Sequence, residues 1–259
     1  MKQPIPLCIA LGLCASLPSS GQPIKELVRG ARESVLSLRL YGPSGQEIGS
    51  GTGFVVAEGL VATNYHVAAS AARIEAVLAS DETIEASAVV AEDEENDLAL
   101  LAFGGLDALP LPLAEGAQVE QGDPIVVLGN PLGLAGSISD GIVAAVRPDG
   151  LGSESPLFRN TPLLQVTAPI SPGSSGSPVI GADGRVVGVA VGGYVLGQNL
   201  NFAIPAPTLV GLIRSSDLGG ELRPLGRRRQ ASTRSLVRNL TISALFLGAI
   251  AVALWRMRD

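Results

Sequence analysis

An all-β body, folded as a barrel or a sandwich, is predicted by three features of the sequence. Apolar residues come in short runs, among them Gly53–Ala57, Ala88–Ala91, Leu98–Ala102, Ile125–Leu128 and Arg185–Val191. Turn-forming stretches separate the runs: Pro43-Ser44-Gly45, Gly104-Gly105, Pro148-Asp149-Gly150 and Ala182-Asp183-Gly184. Glycine is abundant, at 32 of 259 residues, which suits many tight turns better than long helices. A hydrophobic fraction of 46% against 16% charged residues excludes an intrinsically disordered chain.

Along the chain, residues 1–21 have the layout of a secretory signal: one lysine, an apolar stretch from Ile5 to Leu17, then small residues up to Gly21. Both cysteines, Cys8 and Cys14, lie in this leader, so the body has no disulfide framework. Leu7 and Leu13, where a lipoprotein signal needs a small residue, argue against lipidation. Residues 22–216 form the β-rich body. Within it, Ile24–Leu36 reads as a short helix on the outside and Val67–Ala72 as a helical turn. Ala108–Gly122, with two prolines and weak periodicity, reads as the connection between two similar halves, roughly 22–115 and 116–216.

After Ser216 the composition changes. Residues 217–238 are rich in Arg, Gly and Ser, the mark of a linker. Leu240–Trp255 is then continuously apolar or small, and residues 239–256 are expected to form a transmembrane helix with Trp255 at an interface. The net charge of −6 is divided unevenly: residues 223–259 contribute +7 and the first 222 carry −13. So acidic a body has no general affinity for nucleic acid, which needs clustered Lys and Arg. The arginines before the apolar helix oppose a simple positive-inside orientation. Large domains with leaders translocate largely regardless of charge, so the body is expected outside the cytoplasmic membrane, its arginines along anionic headgroups.

The chain has a single histidine, His66, at the end of an apolar run and the start of a small-residue segment, a usual place for functional groups. Asp97 follows 31 residues later. The acidic run before it, Glu92–Glu95, reads as a solvated loop, whereas Asp97 directly precedes the run Leu98–Ala102. An aspartate entering a core needs a hydrogen-bonding partner, and an imidazole N–H is one. Ser175 lies 78 residues further on, within Ser171-Pro-Gly-Ser-Ser-Gly-Ser-Pro178. The order His, Asp, Ser on a β-rich chain is that of the chymotrypsin triad. An α/β-hydrolase needs the order Ser, acid, His and a glycine where Ser177 stands.

Seven stretches in order and spacing resemble the bacterial trypsin-like serine proteases of the HtrA (Deg) type. They are Gly49–Val56, Thr63–Val67, Asn96–Leu100, Gly129–Gly133, Ser139–Val143, Pro172–Pro178 and Asn201–Pro205, together spanning about residues 35 to 206. The resemblance implies the chymotrypsin-like fold of two six-stranded β-barrels, with His66, Asp97 and Ser175 as catalytic triad and the N–H groups of Gly173 and Ser175 as oxyanion hole. It implies no metal and no cofactor. A trypsin-type acid six residues before the nucleophile is replaced by Pro169. The family's pocket-lining position maps onto Ile170, and Ala190 and Val191 are expected to complete an apolar pocket for small or medium aliphatic side chains. Val189 and Val191 read almost equally well as barrel filling.

The sequence departs from the family at Ser174, where asparagine is usual, at Ser177, usually glycine, and at Thr167, usually aspartate. About 30 residues separate Pro207 from the apolar helix, fewer than a PDZ domain needs, so none is expected between them. The leading expectation is an endopeptidase on the extracytoplasmic side of a bacterial envelope, held to the membrane by its C-terminal helix and acting on polypeptides. Self-association is left open. A silent protease-fold scaffold and an esterase on the same barrels are the rival functions, and the complete triad argues against the scaffold.

Overall fold

The computed structural model describes residues 24–216 apart from 79, 117–118, 130–135, 153–157 and 194–199. The expected leader, basic linker and apolar stretch at 239–256 lie outside the described residues. No helix among the described residues is long and apolar enough to cross a membrane.

The chain opens with helix α1 (Ile24–Ala31), which buries Leu27 and Ala31, and a 3-10 turn at Arg32–Ser34. The helix is shorter than the predicted Ile24–Leu36. From Val35 onward, Leu36, Leu38 and Leu40 alternate with less buried residues, and that two-residue period buries a face only as a strand. Strands β1 (Val35–Tyr41), β2 (Glu47–Ala57), β3 (Leu60–Thr63), β4 (Arg73–Val77), β5 (Thr83–Asp93) and β6 (Leu98–Phe103) close a first barrel in the order β1-β2-β3-β6-β5-β4. A short helix α2 (Tyr65–Ala69) interrupts it after β3. It begins two residues earlier than the helical turn predicted at Val67–Ala72, so His66 lies inside the helix rather than ahead of it.

Strands β7 (Pro124–Gly129), β8 (Ser137–Arg147), β9 (Leu163–Val166), β10 (Pro178–Gly181), β11 (Val186–Gly193) and β12 (Asn201–Pro205) close a second barrel in the order β10-β11-β12-β9-β8-β7. All pairings within both barrels are antiparallel, and helix α3 (Ala206–Ser215) follows the last strand.

Three apolar clusters hold this arrangement. Leu38, Val55, Ile74, Leu101 and Phe103 fill the first barrel. Ile125, Val127, Leu164, Val179 and Ala203 fill the second. A third cluster joins them, with Phe54, Leu98 and Leu100 from the first barrel against Val126, Leu128, Ile180 and Ile204 from the second, and Leu209 and Leu212 of α3. Strands β6, β7 and β11 serve a barrel interior with one face and this shared cluster with the other. That explains why they read as unbroken apolar runs instead of alternating ones. The connection between barrels is bonded to both: Leu111 N–H donates to Val55, Ala114 N–H to Val186, and Val186 N–H to Pro112.

Candidate active site

His66 stands in the first turn of α2, and Asp97 ends the tight turn that leads into β6. Strands β3 and β6 pair with Thr63 opposite Ala99, which sets the starts of both functional segments side by side. The Asp97 carboxylate is fully buried and engages His66 twice. Its Oδ2 lies 2.8 Å from the imidazole Nδ1, and its Oδ1 accepts the His66 backbone N–H at 3.0 Å. This two-point contact fixes both the position of the helix start and the ring's orientation. Asp97 adopts a left-handed backbone, φ 55°, a conformation costly outside glycine. Neighbours sustain it: Asn64 Nδ2 donates to the Asp97 carbonyl oxygen at 3.0 Å, and Asp93 caps Asn96 just before it.

Ser175 lies on the opposite barrel, in two consecutive turns made by Pro-Gly and Ser-Gly pairs. Ser174 N–H donates to the Ser171 carbonyl at 2.9 Å, with Gly173 at φ 93°. Ser177 N–H donates to the Ser174 carbonyl at 3.1 Å, with Gly176 at φ 87°. A proline in the second place and a positive-φ glycine in the third mark the first as a type II turn, and the second repeats its glycine. Gly176 is doubly constrained, because a Cβ there would stand 2.0 Å from the Thr52 carbonyl oxygen. Among the described residues, the N–H groups of Gly173 and Ser175 have no hydrogen-bond partner.

The two halves meet over the middle of β2. Thr52 N–H donates to the Ser175 carbonyl at 2.8 Å, and Thr52 Oγ1 to the Gly173 carbonyl at 2.8 Å. A Cβ on Gly51 would lie 2.7 Å from Val67 Cγ1 and 3.6 Å from the Ser175 carbonyl oxygen, so the histidine's helix and the serine's turn both pack on that glycine. The Ser175 hydroxyl donates to the Val191 carbonyl oxygen at 3.5 Å, and no hydrogen bond joins it to the His66 ring.

The three residues expected to line a pocket divide between two clusters. Ile170 packs on the filling of the second barrel, where Ala190 also points. Val191, buried like Val189, points instead into the shared inter-barrel cluster. Thr167 Oγ1 accepts the Ile142 N–H at 2.9 Å, a local tie across β8. No local pattern marks Thr52 or Asn64: both lie in motif stretches, Gly49–Val56 and Thr63–Val67, but their partners are 121 and 33 residues away in sequence.

Two closed six-stranded antiparallel barrels, with a His–Asp pair on one and a glycine-braced serine turn on the other, define the class of chymotrypsin-like peptidase folds. Comparison with known proteins gives the family. A model described as the trypsin-like peptidase domain matches residues 51–189. The mitochondrial serine protease HTRA2 of Bos taurus is 36% identical over 193 residues, covering 72% of this chain and 41% of that protein. A probable periplasmic serine endoprotease, DegP-like, of Pseudomonas fluorescens is 31% identical over 179 residues, covering 66% of this chain and 36% of that protein. Among solved structures, an HtrA-type protease with a tripeptide superposes with TM-score 0.66 at 26% identity, covering 74% of this chain and 62% of that one. The chain belongs to the trypsin-like serine proteases of the HtrA type, and it spans about two fifths of the length of these curated relatives.

Proposed function

We propose that the protein is a serine endopeptidase in which Ser175 attacks a peptide carbonyl, His66 takes and returns the proton, and Asp97 orients the imidazole. The single observation that carries this reading is the buried, two-point contact of Asp97 with His66. With Nδ1–H directed to the carboxylate, Nε2 is left as the acceptor for the serine proton. For attack, the Ser175 hydroxyl leaves the Val191 carbonyl and donates to the ring instead. As the tetrahedral intermediate forms, the N–H groups of Gly173 and Ser175 receive the oxyanion, each contributing on the order of 3 kcal/mol to transition-state stabilisation. His66 then protonates the leaving amine, and water repeats the cycle on the acyl-enzyme.

Substrates are polypeptides, cleaved after small or medium aliphatic residues received beside Ile170 and Ala190, which share the filling of the second barrel. Val191 points into the inter-barrel cluster and takes no part. The protein acts in a bacterial envelope, exported by residues 1–21 and tethered by the apolar stretch 239–256. Relatives described as probable periplasmic endoproteases support that location.

Treating membranes that carry the protein with a fluorophosphonate probe tests the reading. Labelling of the wild type that is lost in Ser175→Ala is expected, with casein cleaved faster than short esters. An unlabelled wild type supports the silent scaffold instead, and ester hydrolysis without casein cleavage supports the esterase.

A further inference from the structure

We propose that Thr52, contributed by the first barrel, is a positioning residue for the oxyanion-binding N–H of Ser175. This inference rests on the endopeptidase reading above and adds to it a residue outside the triad and the turn. The N–H of Ser175 belongs to the peptide unit between Ser174 and Ser175, so its aim depends on the peptide units either side. The preceding unit has its carbonyl, on Gly173, held by Thr52 Oγ1 at 2.8 Å, and its N–H held by the Ser171 carbonyl at 2.9 Å. The following unit has its carbonyl, on Ser175, held by Thr52 N–H at 2.8 Å, and its N–H held by the Ala190 carbonyl at 2.9 Å.

One residue thus brackets the donor from both sides. Thr52 is itself enclosed: it is fully buried, and its carbonyl accepts Thr63 Oγ1 at 2.7 Å. Thr63 ends β3, two residues before the helix that carries His66. The bonds therefore run from the histidine's barrel, through Thr63 and Thr52, to the serine's turn. Glycines at 173 and 176 leave that turn intrinsically soft, so an external brace decides how it rests. The backbone bond from Thr52 survives any substitution except proline, whereas the hydroxyl bond is open to mutation.

The test compares Thr52→Val, which keeps shape and backbone N–H but loses the hydroxyl, with Thr52→Ser, which restores it. Peptide hydrolysis, melting temperature and affinity for a peptide boronate are measured on the full chain. Thr52→Val is expected to lower kcat about tenfold to a hundredfold with KM within twofold, less than outright loss of an oxyanion donor. Boronate affinity is expected to fall in parallel, and Thr52→Ser to recover most of both. Wild-type kcat and boronate affinity in Thr52→Val, with only a lower melting temperature, overturns the proposal and leaves Thr52 a packing residue. Should Thr52→Val fail to fold, a Thr52→Ser variant with kcat as low as that of Thr52→Ala also overturns it. A wild type that neither cleaves peptide nor takes the fluorophosphonate probe defeats the endopeptidase reading itself, and this proposal with it.

Discussion

Ser177 is a serine at a position where related proteases usually carry glycine, and its surroundings make its hydroxyl a cost. The side chain is fully buried, and its Oγ has no hydrogen-bond partner among the described residues. It abuts Gly129, where an added Cβ would stand 2.4 Å from it. A sealed, unpaired hydroxyl costs about 1–3 kcal/mol, which its removal recovers in part. Ser177→Ala is therefore expected to raise stability by about 1 kcal/mol, a rise of roughly 2–4 °C in melting temperature for a domain of this size. Thermal unfolding checks it, and a fall in melting temperature would mean that the hydroxyl has found a partner in solution. At this scale His66, Asp97 and Ser175 were legible as candidates because each borders a strand beside small or turn-forming residues: His66 follows β3, Asp97 precedes β6 and Ser175 lies in the turns before β10. Thr52 and Asn64 were not, since each acts through a hydrogen bond to a distant segment that no local pattern records.

At the scale of elements, glycine positions separate backbone strain from steric fit. Gly176, at φ 87°, faces the Thr52 carbonyl and the Thr63 hydroxyl, whereas Gly45, at φ 82° in the turn between β1 and β2, has open space around it. Gly45→Ala is expected to cost only the left-handed strain, about 1–2 kcal/mol. Gly176→Ala adds overpacking against backbone and is expected to cost about 2–5 kcal/mol. Urea titration of both variants checks the ranking; equal losses would mean that β2 gives way to the new methyl. Strands β6, β7 and β11 were legible as strands because they are apolar on both faces. Strand β8 opens with Ser137, Ser139, Asp140 and Gly141, and its apolar run Ile142–Val146 covers only the second half, so its start carries no strand signal of its own. The boundary between α1 and β1 was overrun because Val35 and Leu36 satisfy a helical and an alternating pattern alike. Only the barrel interior selects the second.

For the whole molecule, the shared cluster of Phe54, Leu98, Leu100, Val126 and Leu128 makes the two barrels one packed unit, with the proposed catalytic groups divided between them. A His–Asp pair on one barrel meets a serine turn on the other only when that cluster is intact, so activity and inter-barrel packing are expected to be lost together. Beyond the body, the proposed export by residues 1–21 and the proposed tether at 239–256 would put residue 259 on the cytoplasmic side. A reporter fused after Asp259 is expected to be active in the cytoplasm; activity outside contradicts that orientation. The proposed mechanism turns on which atom is the nucleophile. Digestion of the fluorophosphonate-labelled protein and mass spectrometry of the peptide bearing Ser171–Pro178 locate the adduct. A single adduct on Ser175 is expected; an adduct on Ser171, Ser174 or Ser177, or none anywhere in the chain, would contradict the mechanism.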